Sequence, residues 1–180
     1  MALTNFVKNI RNIMRNDAGI NGDAQRIEQI AWMLFLKVYD EKENDWAFNE
    51  EHYVSFIPEN CRWRNWAKDH SDGKALTSDK LLDFVNNTLF PTLKTLVVMP
   101  DTPMRSAIVR TTFQDANQYM KDGVLLRQVL NVIDSLDLSD YEESHAFGEI
   151  YEAILKEMQS AGSSTPLALL PTLWPRPSAP

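Results

Sequence analysis

The sequence has few of the residues that build disulfide-bonded or metal-bound folds. Its 180 residues include one cysteine, Cys61, and three scattered histidines, His52, His70 and His145. One cysteine excludes an internal disulfide framework and a thiolate zinc site, and the histidines give a metal cluster no support. Cys61 is therefore expected to be a buried structural thiol. Only six glycines and nine prolines occur, which argues against a turn-rich sandwich or barrel.

Long apolar runs are also missing. No stretch approaches the ~20 apolar residues that cross a bilayer, and residues 1–15 contain no apolar signal core. A soluble cytoplasmic protein is therefore expected. With 44% hydrophobic and 24% charged residues, the composition is that of an ordinary globular domain, which excludes disorder throughout.

The motifs of common enzyme classes are absent from the sequence. There is no Gly-x-Gly-x-x-Gly loop, no P-loop, no Gly-x-Ser-x-Gly elbow and no His-Glu-x-x-His pair. The carboxylates form no obvious acid–base pairing. The residues alone therefore predict no catalytic group, no metal and no cofactor in this chain.

Positive charge is scarce overall but unevenly distributed. The net charge is −7, so the whole chain is not a generic nucleic-acid binder. Residues 1–130 hold 16 basic against 17 acidic side chains, whereas residues 131–180 hold 2 against 8. The first part of the chain can therefore still carry a local basic face.

Apolar residues recur at spacings of three and four, which predicts one helix after another. The expected helices cover residues 6–14, 24 to about 44, 78–90, part of 104–120, 123–136 and 139 to near 162. Capping is assigned to Asp23, to Thr77 or Ser78, to Asp122 and to Ser139. Pro91 is expected to end or kink its helix. Residues 30–39 are apolar nearly all round, which is typical of a central helix.

No strand is convincing, and residues 45–75 predict loops with short helical turns. The predicted class is all-α: a helical, bundle-like domain with irregular connecting loops and a proline-rich tail. The tail, residues 163–180, holds five of the nine prolines and no acid. We therefore expect a helical domain over residues 1–162 and a tail over 163–180 that is disordered, or non-native through truncation or a frameshift.

The first cationic segment lies on the N-terminal helix. Lys8, Arg11 and Arg15 occupy positions i, i+3 and i+7, with no acid before Asp17. They share one face, opposite the apolar stripe, and such a face can contact phosphate. An ordinary solvated cationic face is the other interpretation, and the residues alone favour it.

The second cationic segment interleaves cations with tryptophans. Arg62, Arg64 and Lys68 alternate with Trp63 and Trp66. The arginines and lysine can also contact phosphate. The alternative, again favoured by the residues alone, is that the tryptophans pack inward and the cations are merely solvated.

Three segments, in order, make the chain resemble a known family. They are residues 10–41, the Ile57-Pro58 and Arg62-Trp63 pairs, and residues 145–155, which read His-Ala-Phe-Gly-Glu-Ile-Tyr-Glu-Ala-Ile-Leu. Together they resemble the N-terminal helical domain of the M (modification) subunit of type I restriction-modification systems. The resemblance covers about residues 3–162.

The resemblance implies a function for a longer parent protein. In that family the M subunit transfers a methyl group from S-adenosylmethionine to adenine N6 in DNA. It assembles as two M subunits with one specificity subunit, alongside a restriction subunit. The helical N-terminal domain is implicated in closing around DNA and in subunit contacts. DNA, the specificity subunit and a second M subunit are thus the implied partners.

The sequence departs from the family where its chemistry should begin. No Asn-Pro-Pro motif occurs, and Thr165-Pro166 is the sole possible remnant of the segment beside the donor pocket. The resemblance therefore implies an N-terminal fragment that is inactive alone and binds no cofactor itself. It favours DNA contacts by Lys8, Arg11, Arg15, Arg62, Arg64 and Lys68.

Two alternatives remain at this point. One is a stand-alone helical protein-interaction module without DNA binding. The other is an enzyme in its own right, which the missing donor loop disfavours. The acidic last helix suits a protein partner or solvent better than DNA, since its carboxylates repel phosphate.

Overall fold

The computed structural model describes residues 3–69 and 73–137, together with the single helical residues 148, 152 and 156. The described helices are α1 (Leu3–Met14), α2 (Asp23–Asn49), α3 (Trp63–Trp66), α4 (Ser78–Phe84), α5 (Phe90–Lys94), α6 (Met104–Asp115) and α7 (Gly123–Asp134). A 3-10 turn covers Glu59–Cys61, and a π-helical turn, Val85–Leu89, joins α4 to α5. The described ranges contain no strand, so the all-α class is confirmed. None of their helices is long and apolar enough to cross a membrane.

Helix α2 is the centre of the fold. Residues 32–40 are all buried, as expected for a stretch that is apolar nearly all round. Trp32 lies in an aromatic cluster, with its ring centroid 5.1 Å from that of Phe90, 6.3 Å from Phe113 and 6.4 Å from Trp66. Helices α3, α5, α6 and α7 therefore pack against α2 and enclose residues 32–40, whereas α1 and α4 pack mainly against α7.

Both ends of α2 differ from the prediction. Gly22, with φ 104°, occupies the N-cap position, and Asp23 does not cap the helix. The helix continues to Asn49, five residues beyond the expected end. Trp46 explains the extension, because its ring lies 5.4 Å from that of Tyr39 and 6.1 Å from that of Tyr53. This packing anchors the last turn of the helix, which lies beyond the run of charged and amide residues at 40–45.

Pro91 does not end its helix. The chain forms the π-helical turn directly before it, and Phe90 donates its N–H to the carbonyl of Val85, five residues back. Pro91 then lies in the first turn of α5, where a missing N–H is tolerated. The helical path therefore continues to Lys94, so the prediction of an end at Pro91 is wrong, and the alternative of a kink stays a prediction.

Two further predicted caps lie within the described residues, those of α7 and α4. The Asp122 carboxylate accepts the N–H groups of Val124 at 2.8 Å and Leu125 at 3.0 Å, which confirms it as the cap of α7. Thr77 occupies the N-cap position of α4 but makes no side-chain capping hydrogen bond. Ser78, at φ 52°, is inside the helix.

A buried carboxylate joins the α1–α2 loop to the start of α7. Asp17 is 3% exposed and accepts backbone N–H groups from Gly19 at 2.7 Å, Lys121 at 3.0 Å and Asp122 at 2.9 Å. The two segments approach closely: a Cβ on Gly19 would lie 2.0 Å from the carbonyl oxygen of Tyr119. Only glycine fits there, so the contact depends on both Asp17 and Gly19.

Helix α7 also meets α4 without intervening side chains. A Cβ on Gly123 would lie 1.9 Å from the carbonyl oxygen of Ser78. One turn further on, the buried Arg127 donates to the carbonyls of Leu76 at 2.7 Å and Trp66 at 3.2 Å. Burial lowers the pKa of Arg127. The backbone carbonyls accept the hydrogen bonds that water would accept from an exposed guanidinium. The start of α7 is thus fixed by backbone contact and by one guanidinium.

The end of α7 is held by a second buried cation. Lys37 of α2 donates from Nζ to the carbonyls of Asp134 and Leu136, each at 2.6 Å. Burial lowers its pKa, and the nearby Glu41 opposes that shift. A cation at a helix C-terminus also interacts favourably with the helix dipole. Helix α7 is therefore fixed at both ends.

The remaining predictions fall mostly outside the described residues. Gly148, Glu152 and Lys156 are helical, whereas the predicted cap at Ser139 and the tail over 163–180 are not described. The division into 1–162 and 163–180 stays a prediction. Cys61 is buried, as expected, and burial raises the pKa of its thiol.

Replacing Asp17 should destabilise the protein strongly. Asp17→Ala leaves the N–H groups of three residues without their acceptor in a buried site, which we expect to lower the free energy of unfolding by about 3 kcal/mol. Urea denaturation measures the change. Asp101→Ala, at an exposed loop position, is the matched control and should be neutral. Equal stability of the two variants would show that the Asp17 contact does not matter.

Candidate nucleic-acid interface

Helix α1 and the residue that directly follows it present two cations on their outer side. Phe6, Ile10 and Met14 are fully buried, which turns Lys8 and Arg15 outward, and both are exposed. Neither side chain makes a hydrogen bond or ion pair within the described residues. The helix contains no acid. These two cations are therefore available to an external anion.

Arg11 of the same helix has a different environment. Its side chain is 11% exposed, and its Nη2 lies 3.9 Å from Oδ1 of Asp23. Arg26 donates to the same carboxylate oxygen at 2.6 Å. Arg11 thus connects α1 to the start of α2, so a phosphate would have to compete with Asp23 for it. Two guanidinium groups share one carboxylate, which leaves this junction with one excess positive charge.

Arg64 is bound to the middle of α2. Its Nε donates to Oδ1 of Asp40 at 2.9 Å, its Nη2 to the Asp40 carbonyl at 2.8 Å, and its Nη1 to the Asn44 side chain. The Asp40 side chain is 5% exposed. Arg64 therefore neutralises a buried carboxylate and orients α3 on α2.

The other cations of this segment are half-buried. Arg62 donates from Nε to the Ile57 carbonyl at 3.3 Å. Lys68 lies close enough to Lys37 and Glu41 to influence both: burial is the main cause of the lowered pKa of Lys37, and the charge of Lys68 lowers it further. Neither residue is as accessible as Lys8 or Arg15.

The tryptophans between these cations pack inward. Trp63 donates from Nε1 to Oδ1 of Asp134 at 2.8 Å, and Trp66 donates to the Cys61 carbonyl at 3.1 Å. Their ring centroids are 5.6 Å apart, and both residues are buried. They cannot stack on bases, so this part of the alternative interpretation is confirmed.

The two cationic segments do not form one compact patch. Arg11 meets α2 at Asp23, whereas Arg64 meets it at Asp40. These two acids are 17 positions apart on the helix, a distance of ~25 Å at 1.5 Å per residue. A single ligand contacting both segments must therefore be long. The assignment of all six cations to DNA stays a prediction.

Three exposed apolar side chains lie in segments that meet at the far end of α2, and the sequence reasoning missed them. Phe48 is 91% exposed, Val54 84% and Met104 69%. Arg105 brings their segments together, because its guanidinium makes paired bonds to the Glu50 carboxylate at 2.6 and 2.7 Å. We call Phe48, Val54 and Met104 the apolar edge.

The contacts beneath the apolar edge hold its segments in place. Arg105 also stacks over the ring of Trp46, 4.9 Å from the centroid. The buried Glu43 accepts hydroxyl bonds from Tyr53, at 2.8 Å, and from Ser55. The sequence alone does not predict that Phe48 is exposed. Its exposure depends on the path of the loop after α2, which covers Trp46 and leaves Phe48 uncovered.

The described residues contain no group of three or more His, Cys, Asp or Glu side chains that could hold a metal ion. Thr165 and Pro166, the predicted remnant of a donor-pocket segment, lie outside those residues. Their assignment to a donor-pocket segment therefore stays a prediction.

The chain is similar in sequence to modification subunits of type I restriction enzymes. The family described as HsdM N-terminal domain matches residues 3–133. The chain is 44% identical to the type I restriction enzyme EcoEI methylase subunit of Escherichia coli over 164 residues, which are 91% of this chain and 33% of that protein.

Two solved structures are similar as well. A modification subunit of a type I restriction enzyme from Vibrio vulnificus YJ016 superposes with a TM-score of 0.77 at 30% identity, over 90% of this chain and 36% of that one. A chain from a study of complex assembly and conformational transition of the type I R-M system gives 0.68 at 28% identity, over 86% and 30%. This chain thus spans about a third of the length of these relatives.

Alanine substitutions should destabilise the protein where the cation pairs with a buried carboxylate and leave it unchanged where the cation is exposed. Arg64→Ala leaves the buried Asp40 without its guanidinium, so we expect a loss of about 1–3 kcal/mol in the free energy of unfolding. Arg15→Ala removes an exposed side chain without a described partner and should change it by less than about 0.5 kcal/mol. Thermal or urea unfolding compares them. An Arg64→Ala variant as stable as Arg15→Ala would contradict the structural role.

Proposed function

This chain belongs to the HsdM N-terminal domain family, and we propose that it serves a type I modification subunit as a DNA-clamping and assembly module. The observation that carries the DNA role is the outer side of α1, a helix without acids, where Lys8 is exposed and Arg15 is exposed directly after the last residue of the helix. Phosphate contacts in protein–DNA complexes come largely from such side chains.

The chemistry belongs to the longer protein in this proposal. The whole subunit would transfer a methyl group from S-adenosylmethionine to adenine N6 in DNA, in the cytoplasm. This sequence contains no donor loop and no Asn-Pro-Pro motif. Its residues over 1–162 would bind DNA and neighbouring subunits and would take no part in methyl transfer.

The DNA contact should be weak and strongly dependent on salt. The net charge of −7 opposes non-specific attraction, so binding depends on the local cations of α1. Each phosphate neutralised contributes a slope of roughly −0.9 to the logarithm of affinity against the logarithm of salt. Lys8 and Arg15 together therefore account for a slope of about −1.8.

The apolar edge supports the assembly role. Glu51 and Asp101, both exposed, lie within three residues of Val54 and Met104 in the sequence and would repel DNA. Asp45, three residues before Phe48, is exposed but pairs with Lys42 at 3.4 Å. A partner with apolar side chains flanked by basic ones complements this surface. A second copy of the chain would bring the same acids to the contact, so we assign the edge to the specificity subunit.

The clamp role predicts a charge-dependent loss of DNA binding. The double variant Lys8→Glu/Arg15→Glu should bind a labelled DNA duplex at least tenfold more weakly at low salt, because two phosphate contacts become repulsive. Fluorescence anisotropy measures the affinity. The control variant Lys80→Glu/Arg110→Glu has the same net charge but alters α4 and α6, and should bind nearly as the unaltered chain does. A flat titration of the unaltered chain would refute the clamp role.

The assembly role predicts a separate loss. Phe48→Ser/Met104→Ser should weaken binding to the specificity subunit by about 10- to 100-fold, because exposed apolar anchors commonly dominate such interfaces. Calorimetric titration with the purified specificity subunit measures it. Val124→Ser changes an exposed apolar residue on α7 and serves as the control. Unchanged affinity of the double variant would show that the apolar edge is not part of the interface. Analytical sedimentation of the unaltered chain would then test whether the edge mediates self-association instead.

A further inference from the structure

The outer face of α1 carries amides as well as cations. Asn5, Asn9 and Asn12 are all exposed and follow one another at spacings of four and three residues. Helical geometry puts them on one side of α1, beside Lys8. The exposed surface of this helix therefore consists largely of asparagine and positive charge.

These asparagines have no evident structural purpose. None of the three side chains hydrogen-bonds to another described residue, whereas Asn16, just beyond the helix, donates from Nδ2 to the Asn12 carbonyl at 3.0 Å. Asparagine is a weaker helix former than the lysine, glutamate or glutamine usual on an exposed face. Three of them on one short helix weaken it, and no hydrogen bond of their side chains to another described residue offsets that cost.

The amide group suits a phosphodiester backbone. Each asparagine offers two N–H donors and one carbonyl acceptor and carries no charge. Such side chains regularly donate to phosphate oxygens in DNA complexes. Asn5 to Met14 spans ~14 Å of helix, with Arg15 directly after it, and DNA advances 3.4 Å per nucleotide of one strand. The face is therefore long enough to meet several phosphates.

Arg11 provides the orientation of this face. Its contact with Asp23 ties α1 to the first turn of α2, while Phe6, Ile10 and Met14 hold the opposite side in the core. The helix cannot rotate about its axis without breaking both. The three amides are thus presented in a fixed direction before any ligand arrives.

We propose that Asn5, Asn9 and Asn12 hydrogen-bond the sugar–phosphate backbone of duplex DNA, while Lys8 and Arg15 neutralise neighbouring phosphates. This inference rests on the proposed clamp function and adds its uncharged contacts. In this proposal Arg11 is a positioning residue: through Asp23 it orients α1 and does not contact DNA itself.

The salt dependence of DNA binding distinguishes the two kinds of contact. Asn5→Ala/Asn9→Ala/Asn12→Ala should weaken binding to a labelled duplex at least tenfold, because three hydrogen bonds to charged oxygens are lost. Its salt slope should be unchanged, since amides release no counterions. Lys8→Ala/Arg15→Ala should instead make the slope shallower by about 1.8.

Misfolding is controlled within the same experiment. Alanine is the better helix former, so the triple variant should melt at the same temperature as the unaltered chain or higher. Asn60→Ala/Asn86→Ala, at two exposed asparagines elsewhere, should bind as the unaltered chain does.

The outcomes separate this inference from the function on which it rests. A triple variant that binds normally while Lys8→Ala/Arg15→Ala loses affinity would overturn the amide contacts and leave the clamp in place. A triple variant with a shallower slope would also overturn them. An unaltered chain that binds no DNA at low salt would overturn the clamp and the amide contacts together.

Discussion

The fold depends on one constraint: the middle of α2 is apolar on nearly every side and has to be enclosed completely. Trp32 illustrates the consequence, because its ring contacts aromatic rings from α3, α5 and α6 at once. Burial of this kind is worth roughly 25 cal/mol for each Å² of apolar surface removed from water. A single exposed side of α2 would forfeit much of the core, so the surrounding helices follow from this requirement.

Apolar burial alone does not specify how each surrounding helix lies on α2. Charged and polar groups of α2 supply that information. Asp23 meets Arg11 of α1, Lys37 meets the end of α7, and Asp40 meets Arg64 of α3. Each contact is satisfied at one position along the helix only. The cationic residues that looked like ligand-binding groups thus divide into those that determine packing and those that remain accessible.

Periodicity was sufficient to predict the helices but not their ends or the partners of their charges. Asp122 was predictable as a cap because its acceptor and donors are three residues apart or fewer. The pairing of Arg64 with Asp40 spans 24 positions, and no local pattern reveals it. The end of α2 likewise depended on Trp46 meeting a loop that follows it. The exposed amides and the apolar edge became visible only when the buried side of each element was known.

The π-helical turn between α4 and α5 determines which side of the continuous helical path from Ser78 to Lys94 faces the core. Leu81, Val85, Leu89 and Leu93 are each fully buried, at a strict interval of four residues. In a regular α-helix each such step overshoots a full rotation by ~40°, and three steps accumulate ~120°. Leu93 would then point away from the core. The wider turn takes up the surplus rotation, so deleting one residue within it would swing everything up to Lys94 out of alignment.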